Sequence, residues 1–147
     1  KFASEMVRTF EAGDLIFAEG EDSREMFVVI EGTAEIFKPT PRGEVKLATL
    51  ARGEILGEMS LLESLPRSAS ARALGRVRLL AIQPGGFLLK IRRDPTFAFE
   101  IMQSLSRRIR ITNESLMKAM SRGETSIESL KAIMSGAEFS ASGDEKK

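Results

Sequence analysis

The centre of the chain reads Gly57-Glu58-Met59-Ser60-Leu61-Leu62 and then, after three residues, Pro66-Arg67-Ser68-Ala69-Ser70. Taken singly, each of these residues has an ordinary structural explanation. A lone Glu or Arg is usually a solvated surface residue, and a lone Gly usually marks a turn. The order in which they occur is more informative, because together they supply the groups that a small anionic ligand needs.

Each group of this segment has a distinct chemical use. Gly57 permits a close backbone approach, and residues 58–63 suit one helical turn whose free N–H groups face an anion. Arg67 follows a proline that fixes the chain direction, so its planar guanidinium can reach two phosphate oxygens, and Ser68 adds a hydroxyl beside it. Glu58 would repel phosphate but suits a sugar hydroxyl as an acceptor. The segment therefore predicts a site for a nucleotide whose phosphate lies close to its own ribose.

The sequence around this segment is rich in short strands. Strands are predicted over residues 15–18, 26–30, 33–37, 45–50, 69–73 and 77–82. A turn containing Pro39, Pro41 and Gly43 suits a hairpin, and a second hairpin is predicted around Leu74-Gly75. Many short strands with regular turn signals indicate a mainly β domain with added helix, either a small antiparallel β-barrel or a double-stranded jelly roll, over about residues 7–85.

The periodicity changes after Asp94-Pro95, where one long helix is predicted to run to about Arg122 over roughly 40 Å. Its apolar or small residues follow heptad spacing: Met102, Leu105, Ile109, Thr112, Leu116 and Ala119. Such a helix is too long to cover only a small barrel, so part of this seam is expected to meet a second copy in a homodimer. Packing onto its own barrel is the alternative, and the two interpretations can share the helix.

Residues 1–122 are thus predicted to form one domain, and residues 123–147 a short helix and a polar tail. Thr125 and Glu128 look like a capping box that opens the short helix at 126–135. Residues 119–147 hold 4 basic and 5 acidic residues and no recognition helix, so no direct DNA binding by this chain is expected. An output domain would lie outside this sequence or on a partner, and the short helix could instead fold over a ligand as a lid.

The 147 residues contain no His, Cys, Trp or Tyr. This composition excludes Ser-His-Asp and Cys-His nucleophilic chemistry, zinc fingers, haem ligation and disulfides. No catalytic residue, metal site or cofactor is predicted, since an enzyme using Glu58 as a base would lack a second positioned carboxylate. No membrane span and no signal-peptide pattern is apparent, so we expect a cytoplasmic protein without a membrane partner.

The net charge of +1 conceals a segregation along the chain. Residues 1–66 carry 7 basic and 13 acidic residues, whereas residues 67–93 carry 7 basic residues and no acid. The basic block could bind nucleic acid. We favour the interpretation that its side chains lie on solvent faces of strands and offset the acidic half, because no Tyr or Trp is interleaved for base stacking.

The segment from Gly57 to Ala71 resembles the phosphate-binding cassette of the cyclic nucleotide-binding domain family. Residues 13–17, 19–21, 26–29 and 31–32 look like the opening strands of that family. The helix resembles the C-helix of the bacterial catabolite activator branch, over Asp94-Pro95 and residues 107–114. The resemblance covers residues 7 to about 118.

The resemblance implies cAMP, or alternatively cGMP, as the ligand. The implied ligand-binding residues are Gly57, Glu58, Met59, Ser60, Arg67, Ser68, Ala69, Arg108, Thr112 and Asn113. Glu58 would take the ribose 2′-hydroxyl, Arg67 and Ser68 the cyclic phosphate, and backbone N–H groups of Ser60 and its neighbours would complete the cradle. Thr112 and Asn113 would meet the exocyclic amine of adenine.

Three of these assignments have alternatives. Thr112 would also serve as a register device in the heptad seam, and Ser68 would also suit the amine of guanine in a cGMP-selective protein. Arg108 matches a family position that pairs with the cassette carboxylate, or it is a solvated helix charge. The expected function is a binding switch without turnover, in which movement of the long helix relays the nucleotide signal. The rival is a dimerising scaffold that keeps the fold with a silent pocket.

Overall fold

The computed structural model describes residues 5–122, which contain eight β-strands and three α-helices. In chain order these are β1 (Glu5–Phe10), β2 (Leu15–Phe17), β3 (Met26–Glu31), β4 (Ala34–Thr40), β5 (Gly43–Leu50), β6 (Ile55–Leu56), α1 (Glu58–Glu63), β7 (Ser70–Ala73), β8 (Val77–Ile82), α2 (Pro84–Arg93) and α3 (Pro95–Ser121). The predicted short helix and polar tail at 123–147 lie outside the described residues.

The strands form two separate four-stranded antiparallel sheets, in the orders β1-β8-β3-β6 and β2-β7-β4-β5. One hydrophobic core joins them, since it takes Phe27 and Leu79 from the first sheet and Ala34 and Ala71 from the second. Small alanines on the inner face of the second sheet let the larger side chains of the first sheet fill the space between them. Of the two predicted architectures, the double-sheet jelly roll is therefore the one observed, and the sheets do not close into a barrel.

The predicted hairpin around Leu74-Gly75 is wrong. β7 pairs with β2 and β4 in one sheet, whereas β8 pairs with β1 and β3 in the other. The link between them crosses from sheet to sheet beside the β3–β4 link, where the Leu74 N–H donates to the Thr33 carbonyl at 2.9 Å. A Cβ on Gly32 would lie 2.3 Å from the Arg76 carbonyl oxygen, so only glycine allows the two links to touch. Alternation identifies a strand's buried face but not its partner.

The first predicted hairpin is confirmed. β4 and β5 pair from Ala34↔Leu50 to Thr40↔Gly43. Pro39 lies within β4 rather than in the turn. β4 pairs with β7 only as far as Phe37, so the missing N–H of Pro39 interrupts no hydrogen bond between β4 and β7.

Three elements were not predicted from the sequence: β1, β6 and α2. β6 has only two residues, which is too short for periodicity. Gly85 and Gly86 weaken the helical signal of α2, although Pro84 in its first turn and basic residues in its last turn are ordinary helix start and stop signals. α2 packs through Phe87, whose ring meets Phe97 edge-on at 6.2 Å.

The predicted long helix is confirmed as α3, from Pro95 to Ser121. Within residues 5–122, the chain separates into two compact units, residues 5–102 and 103–122. Both sheets, α1, α2 and the first two turns of α3 belong to the first unit. Within residues 5–122, no helix is long and apolar enough to cross a membrane.

The predicted charge compensation is confirmed for the basic strand residues. Arg72 contacts the Glu35 and Glu44 carboxylates, at 2.9 and 2.6 Å, and Arg78 contacts Glu31 at 3.3 Å. The prediction is wrong for the other five residues of the block, which do not lie on strands: Arg67 and Arg76 lie in loops, and Lys90, Arg92 and Arg93 lie on α2. Arg67 is also only 3% exposed, so it does not lie on a solvent face.

Candidate functional site

The segment 57–63 folds as a single short helix behind a left-handed glycine. Gly57 is the N-cap of α1 with φ of 79°. A Cβ built on Gly57 would lie 2.6 Å from Arg67 Nη1, 3.3 Å from the Glu25 carbonyl oxygen and 3.4 Å from the Phe17 ring. The residue is therefore glycine for two independent reasons, its backbone conformation and the close approach of the arginine.

The helix ends at Glu63 and is followed by its C-cap Ser64, whose φ is 57° and whose N–H donates to the Ser60 carbonyl at 3.0 Å. Glu58 and Ser60 are buried, at 7% and 2% exposure. Met59 is exposed, and its thioether sulfur accepts a hydrogen bond from the Ser68 hydroxyl at 3.8 Å. The structure thus brings Met59 and Ser68 together, and their roles at a ligand stay predictions.

The backbone of Arg67 is tied to the loop between β2 and β3. Its N–H donates to the Glu21 carbonyl at 2.9 Å, and its carbonyl accepts from the Gly20 N–H at 2.8 Å. Ala69, 7% exposed, and Ser70 follow, and Ser70 opens β7. This pairing fixes the direction in which the Arg67 side chain leaves the chain.

The guanidinium of Arg67 is held by three acceptors and one ring. Its Nε–H donates to Ser23 Oγ at 2.9 Å, its Nη1 to the Gly57 carbonyl at 3.1 Å, and its Nη2 to the Glu25 carbonyl at 2.8 Å. The guanidinium carbon lies 4.3 Å from the centroid of the Phe17 ring. Three of the five N–H groups are therefore engaged, and one remains on each Nη nitrogen.

The charge around this guanidinium is mixed. Burial lowers the pKa of Arg67, and the carboxylates of Glu21, Glu25 and Glu58 raise it while Arg24 lowers it. Because an arginine titrates far above neutral pH, the group stays protonated. A buried cation with an electrostatic link to the Glu58 carboxylate is an arrangement that can receive a phosphate and a hydroxyl side by side.

The remaining predicted residues lie on α3 in the second unit. Arg108 and Thr112 are one helical turn apart, and Thr112 and Asn113 are both exposed. Asn113 lies on the same exposed face of α3 as Ile109 and Arg110. The base contacts expected of Thr112 and Asn113, and the pairing of Arg108 with Glu58, stay predictions.

Three partners of Arg67 were not predicted from the sequence: Phe17, Ser23 and the backbone of Glu25. Phe17 lies in a segment predicted only as a strand, and Glu25 lies in no predicted element. No local signal marks a loop serine as an arginine acceptor, because the contact joins residues 44 positions apart.

Comparison with known proteins gives a family match that includes the segment from Gly57 to Ala69. Residues 7–94 match the family described as the cyclic nucleotide-binding domain. The Cyclic AMP receptor protein of Thermus thermophilus is 38% identical over 104 residues, covering 70% of this chain and 48% of that protein. A cAMP-dependent protein kinase regulatory subunit of Mycosarcoma maydis is 33% identical over 86 residues, covering 55% of this chain and 16% of that protein.

A solved structure shows the same fold as this chain. The crystal structure of Thermus thermophilus Catabolite Activator Protein superposes with a TM-score of 0.68 at 34% identity, covering 80% of this chain and 56% of that one. The chain spans about half the length of curated relatives that it matches, such as two cAMP-responsive regulators covered to 48%. Because the family match spans residues 7–94 and includes both sheets, α1 and Arg67, this chain belongs to the cyclic nucleotide-binding domain family.

Proposed function

We propose that this domain binds cAMP at the segment from Gly57 to Ala69 and acts as a sensor without turning the nucleotide over. One observation carries the proposal: the guanidinium of Arg67 is buried and held by three acceptors, which leave one N–H on each Nη nitrogen, and it interacts electrostatically with the buried carboxylate of Glu58. Preorganised donors of this kind favour a phosphate, because little conformational freedom is lost on binding.

The roles follow from the chemistry of each group. Arg67 donates to the cyclic phosphate, and Ser68 joins it by exchanging its weak bond to the Met59 sulfur for a phosphate oxygen. Glu58 accepts from the ribose 2′-hydroxyl, since a carboxylate has only acceptor oxygens. Gly57 leaves room for the arginine, and the buried Ser60 lies in the helical turn that contributes backbone N–H groups.

Adenine is the base we propose, with Thr112 and Asn113 on α3 meeting its exocyclic amine. A hydroxyl and an amide at adjacent exposed positions supply both a donor and an acceptor. The names of two relatives, a Cyclic AMP receptor protein and a cAMP-dependent kinase subunit, agree with cAMP. Contact between base and helix would then alter the position of α3, which is the proposed relay.

The seam of α3 is the proposed contact with a second copy. The side chains of Ile109 and Met102 are 62% and 60% exposed. Both residues belong to the heptad pattern predicted from the sequence. An Ile109→Glu variant is expected to shift the protein from dimer to monomer in sedimentation equilibrium. If the parent protein is itself monomeric at every concentration tested, the dimer proposal is refuted.

Isothermal titration calorimetry with cAMP and cGMP tests the binding proposal. Arg67→Ala is expected to weaken cAMP binding by at least about 100-fold, because charge-assisted hydrogen bonds are worth roughly 1.5–3 kcal/mol each. Arg78→Ala is the matched control, since it also removes one positive charge but lies on β8 with Glu31 as its partner. Heat from cGMP alone would reassign the ligand, and no heat from either nucleotide would indicate a scaffold with a silent pocket.

A simpler observation precedes calorimetry. The chain contains no Trp and no Tyr, so the near-ultraviolet absorbance of the protein is weak. A nucleotide that co-purifies with the protein would dominate the spectrum and can be identified by mass spectrometry after acid release.

A further inference from the structure

We propose that Ser23 is a positioning residue of the nucleotide site, which acts through Arg67 and does not itself touch the ligand. This inference rests on the proposed function, because it concerns the arginine to which we assign the phosphate. Ser23 lies in the loop between β2 and β3, outside the segment 57–71 in which the sequence analysis placed the phosphate-binding residues.

The bond that Ser23 makes is the one that sets the orientation of the guanidinium. The cation–π contact with the Phe17 ring, 4.3 Å from guanidinium carbon to ring centroid, holds the group against the ring but does not by itself set its direction. The acceptor at Nε, at 2.9 Å, removes this freedom at the end nearest the side-chain stem. The two Nη nitrogens are then directed to the Gly57 and Glu25 carbonyls, each with one N–H to spare.

Ser23 differs from the other two acceptors because its oxygen belongs to a side chain. The Gly57 and Glu25 oxygens are backbone carbonyls, which no simple substitution removes. The chemistry of residue 23 is therefore the adjustable part of the arrangement. A serine accepts at this position, and an alanine would leave the Nε–H of a nearly buried arginine without its partner.

The loop that carries Ser23 is itself anchored. The Glu25 carboxylate, whose side chain is 12% exposed, accepts two hydrogen bonds from Arg8 at 2.6 and 2.9 Å and one from Gln83 at 2.7 Å. These bonds join the loop to β1 and to the N-cap of α2. Ser23 consequently presents its oxygen from a fixed support, and deleting the hydroxyl leaves that support in place.

The test is a double-mutant cycle read by calorimetry with cAMP. Ser23→Ala is expected to weaken binding by about tenfold, which is less than the loss of a whole charge-assisted bond because the Arg67 guanidinium keeps two acceptors. Ser23→Thr keeps the hydroxyl and is expected to restore affinity. In an Arg67→Ala background, Ser23→Ala is expected to cause no further loss. Thr40→Val is the control, since it deletes a hydroxyl at the distant β4–β5 turn.

A second measurement reads the contact without any nucleotide. The Nε–H resonance of Arg67, assigned in a nitrogen-15 correlation spectrum by its loss in Arg67→Ala, is expected to shift and exchange faster with water in Ser23→Ala but not in Ser23→Thr. Unchanged or tighter cAMP binding by Ser23→Ala would overturn the inference while leaving the proposed function standing. Absence of binding by the parent protein would overturn the proposed function and with it the ligand-positioning role of Ser23.

Discussion

Replacement of Gly57 by alanine tests both the geometry of the site and the reason for glycine at its centre. Gly57 has φ of 79°, where an L-residue is strained, and a Cβ there would lie 2.6 Å from Arg67 Nη1. The methyl group must therefore either distort the start of α1 or push the guanidinium away from the Gly57 carbonyl, to which it is bonded at 3.1 Å. We expect the guanidinium to move, because a side-chain end yields more easily than the backbone around it.

The magnitude follows from two separate costs. The left-handed conformation costs an alanine roughly 1–2 kcal/mol of folding free energy. Displacing a charged donor from its acceptor costs about 1.5–3 kcal/mol more. Gly57→Ala is thus expected to lower the free energy of unfolding by about 3 kcal/mol and to weaken cAMP binding at least tenfold, since the phosphate donors leave their positions.

Gly13 provides the matched control. It has φ of 86°, but nothing lies within 4 Å of a Cβ built on it, so Gly13→Ala carries the conformational cost without the collision. Because the protein has no Trp or Tyr, urea unfolding is best followed by far-ultraviolet circular dichroism, and cAMP binding by calorimetry. The reasoning is refuted if the two variants lose the same stability and both bind cAMP like the parent protein.

Three further predictions concern the rest of the molecule. Gly32→Ala is expected to destabilise the domain by more than about 2 kcal/mol in urea unfolding, because the methyl group meets the backbone oxygen of Arg76, which cannot rotate away. The hydrogen bond from Arg72 lowers the pKa of Glu44 from its ordinary value of 4.5. The stability that this pair contributes is therefore present above pH 4.5 and is lost as the pH falls through the lowered pKa. Arg72→Gln is expected to make the free energy of unfolding less dependent on pH below pH 4.5, as measured by urea unfolding at a series of pH values. Thr112→Ala is expected to reduce the preference for cAMP over cGMP in calorimetry, and an unchanged ratio would contradict the base contact proposed for this residue.

Patterns carried by neighbouring residues were predictable. The alternation of Val77–Ile82 identified β8 with its observed bounds, and the change of period after Asp94 located α3. The order of residues in 57–71 identified the family, which the match over residues 7–94 confirmed. These features depend on chain spacing alone, because strand and helix periodicities are local properties of the backbone.

The partners of Arg67 were not predictable in the same way. The sequence placed an arginine after Pro66 and assigned it to phosphate, but its burial at 3% exposure contradicted the expectation of a solvent-facing basic block. Ser23 and Glu25 reach it from a loop more than forty positions earlier in the chain. Such contacts depend on how β2 and β7 pair, and local sequence carries no record of that pairing.

The sequence by itself therefore determined the fold family, the cassette Gly57 to Ala71 and the long helix. The tertiary structure decided which strands share a sheet and in which direction the guanidinium of Arg67 points. The physical reason is that an isolated residue sets its own conformational preferences, whereas the direction of a buried donor is set by acceptors that arrive from elsewhere. The absence of His and Cys excluded sites that depend on these residues, such as zinc fingers and disulfides. The three acceptors around the Arg67 guanidinium are visible only in the folded chain.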